Sequence, residues 1–473
     1  MSRAVVQQIT LVDWVLTQQG VRLEPMLQAI SDFLDAHREL IEQVRRDLER
    51  GLKKPQTGRN GLTPPQVLRS LVLMRVKNWC YRELRERIAD GFTLRRFTDF
   101  HGRRVPRHDA FQRGFNRLTP ETLKAVNELV VRAAVELGLE DGKKLRVDTT
   151  VVETDIHHPT DNTLLWDVVR VVSRLVGQLA AALERRRFKG FRDRTRAARR
   201  RMQEIQRMST RQRQQQQSDA YRGLIGIAAE VVDAARGVLR QTRKARGGDM
   251  IADLAAAELR KQIEHFCRLG DRVIDQARRR VLDGEQVPNA EKIYSIFEPH
   301  TDLIKRGKVQ SPIEFGHKVL LAESAQGLIT QYEVLKGNPS DEQHVGPSLH
   351  HHRKVFGRAP EWYGADRGFY SEKNLASCTQ DGVKVASIPQ RGGHKTPPRA
   401  AHEKSAEFKK GQRFRAGVEG RISVLFRGRG MKRCLAEGAE RFELLVGAAV
   451  LANNLMNIAA LLRKRSSRHK HAA

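Results

Sequence analysis

Between Pro159 and Pro288 the chain has no proline, and from Leu164 to about Leu282 its apolar residues return at helical spacing. The flanks of this run are of another kind. Before it, Lys144-Leu145-Arg146-Val147-Asp148-Thr149-Thr150-Val151-Val152 alternates apolar and polar β-branched residues behind the turn-forming pair Asp141-Gly142, which predicts a strand. After Pro288 the patterning predicts strands over 313–322, 328–335, 362–365 and 383–388, with helices over 371–380, 418–425 and 441–462. A sheet that begins, stops for a long helical stretch and then resumes is most economically an α/β or α+β mixed-sheet core carrying an all-helical insertion.

Ahead of the sheet the pattern is helical. Residues 1–54 bring Leu23, Leu27, Ile30, Phe33 and Leu34 to one helical face, and Lys53-Lys54-Pro55-Gln56-Thr57-Gly58 has linker chemistry. Thr63-Pro64-Pro65 then opens a helix, Thr63 as cap and proline in the first turn. Its stripe is Val67, Leu68, Leu71, Val72 and Met74; a second helix carries Tyr81, Leu84 and Ile88, and a helical pair fills 108–137. The expected organisation is an N-terminal helical segment (1–58), a helical domain (59–140), the first part of the core (141–163), a helical insertion (164–288), the remainder of the core (289–462) and a mobile basic tail (463–473).

Charge narrows the function. Lys and Arg number 86 against 55 Asp and Glu, a formal net charge of +31, which calls for a polyanionic partner such as nucleic acid. The four cysteines, Cys80, Cys267, Cys378 and Cys434, stand far apart, which excludes a zinc finger or disulfide scaffold and fits a reducing compartment. No signal peptide is visible in the first thirty residues. Leu444–Leu462 is apolar enough to raise a membrane question, but Asn453, Asn454 and Asn457 would be costly in lipid, so a buried helix in a cytoplasmic-type protein is expected, with no membrane partner. Glu184–Arg213 holds 13 basic and 3 acidic residues, among them Arg185, Arg186, Arg199 and Arg200. Such a run is either a solvated helix face or a footprint for backbone phosphates.

Three acids stand out by position. Asp148 falls near the end of a predicted strand, Asp366 follows Trp362-Tyr363-Gly364-Ala365 at another, and Glu419 opens a predicted helix. Carboxylates converging at strand ends suit a hard cation such as Mg²⁺ or Mn²⁺. On spacing alone the other reading stays open, with each acid paired to a neighbouring Arg146, Arg367 or Arg421. Further candidates for the site are His157, His158 and Asp161 behind the first strand, Glu153 and Asp155 as alternatives to Asp148, Asp341 or Glu342 in a turn, and His317 with Lys318 near DNA. His350, His351 and His352 cannot all face one ion, and a solvated surface is expected for them.

A family resemblance joins these pieces. Leu145-Arg146-Val147-Asp148-Thr149-Thr150-Val151-Val152-Glu153, Gly364-Ala365-Asp366-Arg367-Gly368-Phe369-Tyr370, and Arg415 with Glu419 resemble the three signature blocks of DDE transposases of bacterial insertion sequences, whose core is similar to RNase H and retroviral integrase. Gly61-Leu62-Thr63-Pro64-Pro65-Gln66-Val67-Leu68-Arg69, with Cys80-Tyr81-Arg82-Glu83-Leu84, resembles their helical N-terminal domain, and Val446–Leu455 their C-terminal helix. The resemblance implies an RNase H-like mixed-sheet core and a metal-binding catalytic triad of Asp148, Asp366 and Glu419 with Mg²⁺ or Mn²⁺. It also implies cleavage at terminal inverted repeats of double-stranded DNA and joining of the 3′-OH ends to target DNA, with at least a homodimer in the DNA complex. Some relatives place Tyr, Arg, Glu and Lys at fixed spacing around the glutamate. Here Arg415 keeps its place four residues before Glu419, while Gln412 and Phe426 stand at the Tyr and Lys positions. Arg415 is expected to bind the DNA backbone, Arg367, Arg413, Arg421 and Arg427 are the other nearby cations for phosphates, and Arg69, Arg75, Arg82, Arg103 and Arg104 are candidates in the N-terminal domain.

Overall fold

The computed structural model describes residues 15, 18–53, 61–208, 213–305 and 313–472. Among them, α1 (Pro25–Ala36), α2 (Arg38–Glu49), α3 (Pro64–Lys77), α4 (Tyr81–Asp90), α5 (Phe92–Phe97), α6 (His108–Phe115) and α7 (Pro120–Glu136) precede the first strand, β1 (Lys144–Thr154). Next come α8 (Asp161–Ala182), α9 (Thr195–Arg207), α10 (Arg213–Thr242) and α11 (Met250–Ala277), the last running into a π-turn over Arg278–Leu282. They are followed by β2 (Asp302–Lys305), β3 (Ile313–Ser324), β4 (Ile329–Val334), α12 (Val345–Phe356), β5 (Trp362–Gly364), α13 (Glu372–Gln380) and β6 (Val385–Ser387). The chain closes with α14 (Pro397–Lys404), α15 (Ala406–Gly428), β7 (Arg433–Cys434) and α16 (Ala439–Ala472).

The strands expected from alternation are all present, within a few residues of their predicted bounds. Local chemistry accounts for several helix starts. Thr63 and Gln66 form a reciprocal capping box around the prolines of α3, and Ser371, Ser405 and Thr119 cap α13, α15 and α7. Two helices are longer than expected. The helix predicted over 418–425 starts at Ala406, because Ser405 supplies an N-cap a dozen residues earlier. The tail expected to be mobile continues α16 as far as Ala472: no glycine or proline follows Gly447 to stop it. Of the linker expected at 53–58, all but Lys53 lies outside the described residues.

The chain forms two compact units, Met1–Val152 with Lys318–Ala473, and Glu153–His317. In the first unit the sheet order is β3-β1-β5-β6, with β4 paired to β3 and β7 to β1. β1, β5 and β6 run parallel, with Lys144, Leu145 and Arg146 opposite Trp362, Tyr363 and Gly364, and these opposite Val385, Ala386 and Ser387. β3 and β4 form an antiparallel hairpin. The unit is thus a mixed α/β structure with a helical N-terminal region.

α16 supplies much of the first unit's core. Its segment Ala439–Arg468 is long and apolar enough to cross a membrane by length and composition, yet two thirds of its most apolar window is buried inside the unit. Asn454, fully buried, accepts from the Ile329 N–H (2.8 Å) and donates to the Ile329 carbonyl and to Asn127 Oδ1, both at 2.8 Å. Of the amides that argued against a lipid setting, Asn454 thus pins this helix to the first residue of β4, and Asn457 donates to the Gly327 carbonyl, so these polar groups find partners.

In the second unit α8, α10 and α11 bury a continuous apolar core from Leu164, Val168, Val172, Leu224, Val231, Ile263 and Val273, with Ala198 and Ile205 of α9 against it. β2 pairs antiparallel with the first residues of β3, Asp302 opposite Gly316. His317 is buried there in a chain of hydrogen bonds. Its Nδ1 meets Asp302 Oδ2 at 2.9 Å and its Nε2 meets His300 Nδ1 at 2.7 Å, and His300 Nε2 reaches Glu298 Oε2 at 2.6 Å. His157 bonds Asp167 at 2.7 Å, which holds its imidazole above the usual histidine range.

Candidate active site

β1 and β5 pair only as far as Arg146 opposite Gly364. Asp148 lies two residues beyond that last pair, within β1 rather than at its end, and Asp366 two residues beyond it on the other strand. Parallel neighbours displaced equally past their shared ladder bring two acids to one edge. Each carboxylate is oriented by backbone: the Thr149 N–H donates to Asp148 Oδ1, and the Gly368 N–H to Asp366 Oδ1, both at 2.8 Å. The second contact caps the short 3₁₀ turn Arg367–Phe369.

α15 lies across β5 and β6. It comes close because Gly411 has no side chain, since a Cβ there would meet Ser387 Cβ at 2.6 Å. One turn along, Arg415 meets the acids. Its Nη2 is 2.9 Å from Asp148 Oδ2 and 3.9 Å from Asp366 Oδ2, and its Nη1 is 3.5 Å from Glu419 Oε1. Glu419 sits within α15, not at its start, one turn from Arg415 on the same face. The three acids proposed from the sequence thus converge on one guanidinium, with side-chain exposure rising from 12% at Asp148 through 36% at Asp366 to 71% at Glu419. Three carboxylates face one guanidinium, an acid surplus in a chain of net charge +31.

The other expected arginines separate. Arg367 is exposed in the turn behind Asp366. Arg421 faces away from the acids: it donates to Glu323 Oε1 at 2.8 Å and to Asn453 Oδ1 at 3.0 Å. Glu323, fully buried, also accepts from Arg146 Nε at 2.7 Å, so Arg146 too is held inside the unit. In the N-terminal region Arg69 is buried on Asp35, Ser31 and the Phe97 carbonyl, and burial lowers the pKa of Arg75, whereas Arg82, Arg103 and Arg104 are exposed. Gln412 donates to the Ser387 carbonyl at 2.7 Å and helps fasten α15. In the second unit Arg185, Arg186, Arg199 and Arg200 are all exposed.

The histidine triplet differs from the solvated surface expected. His350 is exposed, His351 half-buried and His352 buried against the Gly142 carbonyl at 2.9 Å, because successive helical residues point about 100° apart. Burial pushes the His352 imidazole down to about 4.

Asp341 and Thr149 join the site as well. Asp341 accepts from Thr149 Oγ1 at 2.9 Å and pairs with Lys318 at 2.7 Å. The sequence offered Asp341 only as an acid in a turn and gave no sign of Thr149. Glu323 was missed too, although a charged residue closing the apolar run Val319–Ala322 was a legible signal.

An all-carboxylate donor set is the chemistry of a hard divalent cation. As they stand, no three His, Cys, Asp or Glu side chains among the described residues are grouped to hold one ion. The positive group touching all three acids is Arg415, whose buried Nε has no hydrogen-bond partner. The acids therefore already share a cationic centre, and their chemistry fits a divalent ion.

What the first unit defines is a mixed α/β protein with an acidic site at the edge of a parallel strand pair, behind a helical N-terminal region. In that region residues 21–117 match the family model described as Transposase domain (DUF772). Searches of curated proteins and of solved structures gave no match.

Proposed function

We propose that the protein is a DDE-type DNA transposase of a bacterial insertion sequence, working in the cytoplasm, with Asp148, Asp366 and Glu419 as its metal-binding catalytic triad. The observation that carries this reading is the convergence of three acids, far apart in sequence, on Arg415 in a chain bearing a transposase domain. The antiparallel hairpin on one side of β1 and two parallel strands on the other support an RNase H-like core.

The three acids would hold Mg²⁺ or Mn²⁺, which when bound supplies Lewis acidity for attack on a phosphodiester. Asp148 and Asp366, fixed by backbone N–H groups, set the rigid half of the site. Glu419, largely exposed, is the member free to move toward the others. Arg415 spans the acids and has donors to spare for a phosphate oxygen. The same site serves water attack at the element end and 3′-OH attack on target DNA, with no covalent protein intermediate. The exposed Arg185, Arg186, Arg199 and Arg200, together with Arg367, bind backbone phosphate of the terminal repeats and target, and joining two ends calls for at least a homodimer.

The test is joining of a labelled, pre-cut DNA end to plasmid with Mg²⁺ or Mn²⁺. Wild type should join, and Asp366→Ala should lose at least about 10³-fold while still binding DNA. Cleavage without joining would make the protein a nuclease, and equal joining by both proteins would remove Asp366 from the site.

A further inference from the structure

We propose that Asp341 is a fourth acid of this site, a positioning residue that acts with Lys318 and Thr149 to set the separation of Asp148 and Asp366. The inference rests on the metal-site reading above.

Asp148 and Asp366 both lie past the last register pair of their strands, so no backbone ladder fixes the distance between them. Asp341 spans that gap. Its Oδ1 accepts from the hydroxyl of Thr149, the residue next to Asp148, at 2.9 Å. Its Oδ2 lies against the Asp366 turn: a Cβ on Gly368 would stand 2.9 Å from Asp341 Oδ2 and 3.0 Å from Asp366 Oδ1. Glycine at 368 thus leaves room for both carboxylates, while its N–H orients one of them. Asn374 ties the two turns together from the other side, its Nδ2 donating to the Glu342 carbonyl at 2.7 Å and the Phe369 carbonyl at 2.9 Å.

A fourth carboxylate would ordinarily worsen the repulsion among the other three. Lys318 removes that cost. Its ammonium, only 11% exposed, is 2.7 Å from Asp341 Oδ1 and donates to the Pro339 carbonyl at 2.8 Å. Asp341 can therefore brace the site without adding net charge, as carboxylates behind metal ligands commonly do.

The experiment measures Mn²⁺ binding to the full-length protein, by the electron paramagnetic resonance signal of free Mn²⁺, alongside melting temperature. Asp341→Asn keeps the shape and should weaken Mn²⁺ binding about tenfold or more while melting close to wild type. Thr149→Val should weaken it likewise, and Thr149→Ser, which keeps the hydroxyl, should restore it. A fall in melting temperature with unchanged Mn²⁺ affinity would make Asp341 a structural clip and overturn the proposal. Asp366→Asn separates the two levels. If it abolishes Mn²⁺ binding while Asp341→Asn has no effect, only the positioning role fails. If Asp366→Asn leaves binding untouched, the metal site fails and the positioning role with it.

Discussion

Arg415 and Arg421 stand six residues apart on α15, about 240° around the helix, and make opposite use of the same chemistry. At Arg421 one fully buried carboxylate, Glu323, is shared by two guanidinia, whose Nη1 groups also donate to the Phe414 carbonyl and to Asn453. At Arg415 three carboxylates share one guanidinium, and exposure grows outward to Glu419. The first arrangement is closed, because its one carboxylate is fully buried between the two guanidinia that it pairs. The second is open, because it carries excess negative charge on a surface that a cation or a cation-bearing substrate can reach. Charge ratio and solvent access, not the presence of ion pairs, separate a clamp from a working site.

The contrast makes graded predictions. Glu323→Ala removes the fully buried carboxylate from two largely covered guanidinia, 13% and 18% exposed, and should cost about 3 kcal/mol in chemical denaturation. A loss below about 1 kcal/mol would mean that the clamp is already hydrated and the comparison is broken.

Acid sharpens the comparison if His352 is accounted for. Its folded pKa of about 4 lies below the usual 6.5, so between those values the unfolded chain binds the extra proton. Its contribution is complete above pH 6.5 and is lost as pH falls toward 4, by an amount on the order of 3 kcal/mol. Stability measured across pH 4–7 should show this slope in wild type and in Glu419→Gln alike, and lose it in His352→Gln.

The smallest effect on stability belongs to the open face. Glu419→Gln should change unfolding free energy by no more than about 0.5 kcal/mol, as for other exposed positions, yet abolish joining. Lost stability with retained joining would exchange the roles of the two faces.

Much of the architecture was legible because it is written locally. Alternation located β1, β3, β4, β5 and β6, and Thr63 with its prolines marked the start of α3. Asp148, Asp366 and Glu419 are legible as candidates from their places beside predicted strands and a predicted helix. Helix ends were less legible: a periodic stripe locates the buried face of α15, while its start depends on the Ser405 cap, and α16 runs on through a polar tail that carries no stripe. Burial was the weakest inference. Arg69, Arg421 and His352 have the composition of surface residues, and each is covered in full or in large part by partners distant in sequence: Asp35, Glu323 and Gly142.

By itself the sequence indicated most of the strands and helices, a net charge that suits a polyanionic partner, and which acids are candidates, since these follow from periodicity, net charge and residue type. Only the tertiary structure decided which arginine faces the three acids and which turns to Glu323, and that Asp341 and Thr149 belong beside Asp148. Those outcomes depend on where β1, β5 and α15 cross, and the crossing is set by long-range packing at positions such as Gly411 that carry no charge. A side chain's chemistry is local, but its partner is whatever the fold brings within about 3 Å.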